Sequence, residues 1–96
     1  MPQLGDIKIE HPFVQAALSG YSDAPMRRIA RRHGAAYTLN EVVLDKLVLT
    51  RGKGQKRVLR PVELDDHPVG GQLMGSDPEA FGPAARLLAD AGYDVI

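Results

Sequence analysis

Apolar and polar residues alternate at Ile7-Lys8-Ile9-Glu10. That period of two predicts a short half-exposed strand, ended by the turn Glu10-His11-Pro12. Phe13 to Leu18 is more uniformly apolar and predicts a second, buried strand, followed by a Ser19-Gly20-Tyr21 loop. Ser22 or Asp23 then caps a helix through about Arg32, with Pro25 in its first turn. Its narrow apolar stripe is Met26, Ile29 and Ala30, and Arg27, Arg28, Arg31 and Arg32 occupy the rest. Gly34 suits the position just past the helix end. Ala36 to Leu39 predicts a strand, with Asn40 and Glu41 just beyond it. Val42 to Leu49 is β-branched yet places Leu44, Leu47 and Val48 at helical spacing, and reads as a loop followed by a short helix. Arg51 to Arg57 is a basic, glycine-containing connector, and Val58 to Leu64 is linker-like. Val69 to Met74 is a buried strand broken by Gly75. Ser76-Asp77-Pro78-Glu79 has the pattern of a capping box, opening a helix from Asp77 to about Ala91 whose apolar face is Phe81, Ala84, Leu87, Leu88 and Ala91. Pro83 removes a helical hydrogen bond and is expected to kink its first turns. Tyr93 to Ile96 opens another strand.

Buried strands thus begin near residues 13, 36, 68 and 93, at steps of 23, 32 and 25 residues. That is the rhythm of repeated β–α units. An eight-fold barrel of about 250 residues allots about 31 to each unit. A doubly wound sheet shares the rhythm, so spacing leaves both open. In either case the four strands are expected to be parallel and adjacent in chain order, with Ile7–Ile9 outside the set in a hairpin.

Composition narrows the class. With 44% apolar and 25% charged residues, the chain is ordinary for a globular domain. No apolar run approaches the roughly 20 residues of a membrane helix, and the first residues lack the pattern of a signal peptide; a cytoplasmic setting is expected. Without cysteine there is no disulfide, thiolate metal site or thiol nucleophile. Zero net charge hides an asymmetry. Arg27 to Arg60 contains ten of the twelve basic residues against Glu41 and Asp45, a balance of +8, and the rest carries −8. Such a distribution suits a polyanion on one side of the fold.

Candidate chemistry gathers around Gln72, a polar amide near the carboxyl end of a buried strand and beside a helix start, where α/β folds place ligands. Its alternative role is to satisfy a neighbouring loop. The arginines of the first helix read either as phosphate contacts or as a solvated face, and the same choice applies to Arg51, Lys53, Lys56 and Arg57. Tyr21 could stack on a base or pack over apolar surface. Asp65-Asp66-His67 is not a metal site, because adjacent side chains point in different directions.

Three segments carry a family resemblance. Phe13-Val-Gln-Ala-Ala-Leu-Ser-Gly-Tyr-Ser-Asp-Ala-Pro-Met-Arg27 is similar to F-x-x-A-P-M-A-G-x-T-D-x-P-F-R. Asn40-Glu41-Val42 stands where T-E-M is usual. Pro68 to Glu79 matches P-V-x-x-Q-L-x-G-S-D-P-E. The chain therefore resembles the amino-terminal part of the tRNA-dihydrouridine synthases, FMN-dependent TIM barrels. The resemblance implies a partial (β/α)8 barrel, about its first four strands with an amino-terminal hairpin, and residues 1–96 as the opening portion of a catalytic domain whose remainder is absent. It implies FMN against the backbone at Ala17, Leu18 and Ser19, and a hydrogen bond from Gln72 to the flavin ring. Glu41, with Asn40, would lie near the substrate base, and Arg51, Lys53, Lys56 and Arg57 would meet tRNA phosphates. The usual proline and methionine are replaced by Ala17 and Leu18, which changes the surface offered to the ring.

In that family NADPH reduces FMN, flavin passes hydride to C6 of a tRNA uridine, and a cysteine in a D-x-N-x-G-C-P motif protonates C5. The chain stops just before that motif would begin, so no catalytic residue of the family falls within it, and a truncated coding sequence, inactive alone, is expected. Open edges on such a half-barrel imply self-association. Two other readings stand beside this one: another FMN barrel of the dihydroorotate-dehydrogenase kind, and a noncatalytic half-barrel that binds RNA or assembles.

Overall fold

Tyr37-Thr38-Leu39 and Val69-Gly70-Gly71 lie side by side at the centre of a parallel sheet in the computed structural model, which describes residues 3–96. In chain order the elements are β1 (Gln3–Leu4), β2 (Ile7–Lys8), β3 (Val14–Gln15), α1 (Ala24–Arg32), β4 (Tyr37–Leu44), α2 (Asp45–Leu49), α3 (Lys53–Val58), β5 (Val69–Met74) and α4 (Pro78–Ala91). β1 and β2 form an antiparallel pair apart from the main sheet. The main sheet has the order β3-β4-β5, all parallel, and a single parallel bridge joins Val95 to Gly70 on its far side.

One face of this sheet holds the core. Val43, Val48, Val58, Val69, Ala84, Leu88 and Tyr93 are buried together, with Leu47, Leu73 and Leu87 packed against them. Each fully buried aliphatic side chain here contributes about 1.5–3 kcal/mol of hydrophobic stabilisation. Gly70 is needed where strands and side chains crowd. A Cβ there would come within 2.4 Å of both the Tyr37 hydroxyl and Leu39 Cδ2.

Several expectations are corrected. The Phe13–Leu18 run pairs only at Val14 and Gln15, and it is not buried: Phe13 is 68% exposed, and Val14 and Leu18 are also open. β3 is the sheet's edge, and no strand among the described residues pairs with its far side. The loop expected from Val42 onward is strand as far as Leu44, because Val42, Val43 and Leu44 pair with Gln72, Leu73 and Met74 after a bulge between Leu39 and Val42. β-Branched residues suit that pleated, half-buried position. The short helix follows as α2.

The basic connector is helical too, as α3. Gly54 lets it approach α2, since a Cβ there would meet Leu47 Cδ1 at 2.4 Å. The capping box does not form; Asp77 caps α4 instead, its Oδ1 accepting from the Glu79 amide at 3.0 Å. Asp77 sits directly before Pro78, whose missing N–H leaves Glu79 as the first free donor. α4 runs as one helix through Pro83.

The largest correction concerns α1. Its expected stripe residue Ile29 is exposed, whereas Arg27 is buried. Arg27 donates through Nε and Nη2 to Asp66 Oδ2, at 2.9 and 2.7 Å. Its Nη1 reaches the Ser22 carbonyl and Asn40 Oδ1. Arg31 bonds Asp66 Oδ1, Thr38 Oγ1 and the carbonyls of His67 and Pro68. Arg27 and Arg31 thus fasten the helix through buried bonds to the segment between α3 and β5, which excludes these two from a solvated face.

Candidate functional site

The carboxyl ends of β3, β4 and β5 bring the motif segments together. After β3 the chain turns sharply, and the turn is closed from within. The Leu18 carbonyl accepts from the amides of Tyr21 and Ser22, both at 2.9 Å, and from the Ser22 hydroxyl at 3.0 Å. The Leu18 amide donates to the same hydroxyl at 2.9 Å. Ser22 is fully buried in this role. Gly20 takes a left-handed φ of 81°, which only glycine adopts without strain. Its amide donates to Glu41 Oε2, so a β4 carboxylate ties down the loop that follows β3. No local spacing could reveal that bond; parallel pairing of β3 with β4 creates it.

Leu18 therefore has both backbone polar groups engaged inside the loop and presents only an exposed apolar side chain. The amides of Ala17 and Ser19 make no hydrogen bond among the described residues. Gln72 pairs in register with Val42, is half-buried, and its side-chain amide likewise has no partner among the described residues. The unpaired amides of Ala17 and Ser19 and the exposed Leu18 side chain lie on the loop after β3, and the Gln72 amide lies on β5, with β4 between the two strands.

Asn40 is placed differently. Its Oδ1 accepts from Arg27 at 2.8 Å and its Nδ2 donates to the Tyr93 hydroxyl at 3.0 Å, so both ends of the amide are occupied structurally. Burial pushes the Tyr93 phenol above its ordinary value; Arg27 opposes this, and Asp66 and Glu41 add to it. Tyr93 is thus a neutral acceptor for Asn40 at physiological pH. Asp94 closes the same side of the sheet, accepting from the Val69 amide at 2.8 Å and contacting His67 Nδ1 at 2.8 Å. Sequence reasoning missed Arg27, Asp66, Ser22 and Asp94. An arginine on a helix otherwise short of apolar residues was the available signal for Arg27.

Arg51, Lys53 and Lys56 line an open concavity of about 600 Å³ with Gly52 and Gln55, and Arg57 lies exposed on the same helix. None of these four cations makes an ion pair among the described residues. No helix among the described residues is long and apolar enough to cross a membrane. No cluster of three metal-ligating side chains occurs among the described residues; both Asp66 oxygens are held by arginines.

Known proteins are similar to this chain in sequence. The "Dihydrouridine synthase (Dus)" family profile matches residues 14–96. The chain is 31% identical over 94 residues to a "Probable tRNA-dihydrouridine synthase" of Rhodobacter capsulatus, covering 97% of the chain and 29% of that protein. It is 29% identical to "tRNA-dihydrouridine synthase B" of Pectobacterium carotovorum and 26% to that of Escherichia coli, over 97% and 98% of the chain. The chain spans 29% of the length of each of these relatives. With the profile covering β3 to the last residue, and motif residues Gly20, Glu41 and Gln72 carried on adjacent parallel strands or the loop after one, the chain belongs to the dihydrouridine synthase family.

Proposed function

We propose that residues 1–96 are the opening part of a partial (β/α)8 barrel, the amino-terminal portion of a flavin-dependent tRNA-dihydrouridine synthase that works in the cytoplasm. The observation that carries this reading is the bond from Gly20 to Glu41. It joins the first two motif segments at the carboxyl ends of neighbouring parallel strands, the end at which α/β sheets bind ligands.

Bound FMN, reduced by NADPH, supplies the hydride for C6 of a tRNA uridine. The chain's own residues bind and orient. The Gln72 amide would hydrogen-bond the ring edge, the Ala17 and Ser19 amides would offer further donors, and the Leu18 side chain would pack on the ring. Glu41 holds the loop in register near the substrate base. That base must leave its stack to enter. Arg51, Lys53, Lys56 and Arg57 meet tRNA phosphates, contacts that give affinity without reading sequence. With no cysteine in the chain, the proton for C5 comes from outside residues 1–96.

The test is to mix the purified chain with FMN, NADPH and unmodified tRNA. No dihydrouridine above the no-protein control is expected, whereas a chain extended past Ile96 in its reading frame forms it. An inactive extended enzyme would refute the assigned reaction. In that extended enzyme, Gln72→Ala is expected to weaken flavin binding by about 1–3 kcal/mol, the cost of an unpaired buried polar group. Unchanged flavin affinity would make Gln72 structural.

A further inference from the structure

Tyr21 combines a fixed backbone with an unused ring. Its amide donates to the Leu18 carbonyl and its carbonyl accepts from the Asp23 amide, both at 2.9 Å. The residues on either side are also held, Gly20 by Glu41 and Ser22 by its double bond to Leu18. Yet the ring is 72% exposed, and its hydroxyl has no hydrogen-bond partner among the described residues. No apolar surface among the described residues covers this ring, so packing within residues 3–96 does not account for it. What remains is an aromatic face held out at the carboxyl end of the sheet, beside the unpartnered amides of Ala17 and Ser19. Such a ring loses little conformational freedom on binding, because its backbone is already ordered and it has only two side-chain torsions.

We infer that Tyr21 is a stacking platform for an unstacked nucleobase of single-stranded RNA, and so a positioning residue for the uridine or its neighbour. Every base has a π-face, so a single ring accepts bases with little regard to identity. This rests on the proposed action on tRNA and deepens it by naming the surface that receives the extruded base. The Glu41 bond to Gly20 gives the platform its place: a carboxylate on β4 determines where a ring on the β3–α1 loop stands.

The chain makes the experiment direct. It has no tryptophan and three tyrosines, of which Tyr37 and Tyr93 are buried. Tyrosine emission quenchable by acrylamide therefore reports Tyr21. The purified chain is titrated with a short labelled oligouridylate; affinity is read by anisotropy and ring contact by loss of acrylamide quenching. Oligouridylate is expected to shield the quenchable emission. Tyr21→Ala should bind roughly fivefold to a hundredfold more weakly, while Tyr21→Phe keeps the affinity, and circular dichroism shows both variants folded. Equal affinity for Tyr21→Ala and the unaltered chain would overturn the inference, as would binding that leaves the emission fully quenchable or no binding at all. Neither readout involves flavin or product. The platform can therefore fail while an extended enzyme still forms dihydrouridine, and the reverse outcome is equally visible.

Discussion

Replacing Asp66 with alanine should unfasten α1 from the sheet. The Arg27 and Asp66 side chains are only 6% and 9% exposed, and they meet through two hydrogen bonds, at 2.7 and 2.9 Å. Without Asp66, the buried guanidinium keeps only the Ser22 carbonyl and Asn40 as acceptors. Arg31 loses its Asp66 contact as well, though it retains Thr38 and two carbonyls. Breaking a buried pair by removing one partner costs about 3–5 kcal/mol, because an uncompensated charge stays behind. For a chain of this size that lowers Tm by at least about 12 °C, and total stabilities are only about 5–15 kcal/mol. The assay is urea and thermal unfolding followed by far-UV circular dichroism. Two companions separate charge from packing. Arg27→Met with Asp66→Leu should recover most of the loss, since apolar replacement of a buried pair is often neutral. Glu63→Ala, which breaks the exposed pair with Arg28, should change stability by less than about 1 kcal/mol. A loss below about 1 kcal/mol for Asp66→Ala, or a double variant no better than the single, would refute the reasoning.

Alkali should unfold the protein through its buried phenols. Burial raises Tyr37 and Tyr93 above their ordinary value of 10.0; unfolded tyrosines then lose protons first, and stability present below about pH 10 is lost as pH rises. Tyrosinate absorbance of these two should appear together with loss of circular dichroism, and ionisation without unfolding would count against the assignment. Neutralising Arg51, Lys53, Lys56 and Arg57 together should weaken tRNA binding by the extended enzyme and flatten its dependence on log[salt] by up to about 3, at about 0.7–0.9 per phosphate contact; an unchanged slope would make α3 a solvated helix. The chain alone should self-associate, because β3 is an unpaired edge and Phe13, Val14, Leu18, Leu44 and Met74 are exposed; a monomer by light scattering at high concentration would contradict this.

Much of this architecture was legible in the chain, and the exceptions share a cause. β5 and α4 were readable because an apolar run, a breaking glycine and a capping residue lie in contiguous sequence. The parallel order followed from the β–α rhythm. Val42 to Leu44 misread as loop because its strand character comes from pairing with Gln72, Leu73 and Met74, some thirty residues on. For Arg27 and Arg31 neither phosphate contact nor a solvated face was right, because Asp66, the group that neutralises them, stands on another loop. At the site, the motif singled out Gln72 and Glu41, but the locking of Gly20 and the engagement of Leu18 and Asn40 depend on three-dimensional neighbours. Periodicity reports which side of an element is apolar. It does not report where a buried charge finds its partner.

The fastening of α1 also bears on the order in which this chain can fold as it is made. Arg27 and Arg31 emerge early, yet Asp66 and the carbonyls of His67 and Pro68 arrive more than thirty residues later. Until then α1 carries two cations whose buried partner has not been made. The second clasp comes later still, when Asp94 reaches the Val69 amide and His67. A nascent chain stopped before Asp66 should remain open to proteases, and protection should rise in two steps, first as Asp66 and then as Asp94 clears the ribosome. The loop that presents Tyr21 thus waits on Glu41, and the helix after it on Asp66, both synthesised later.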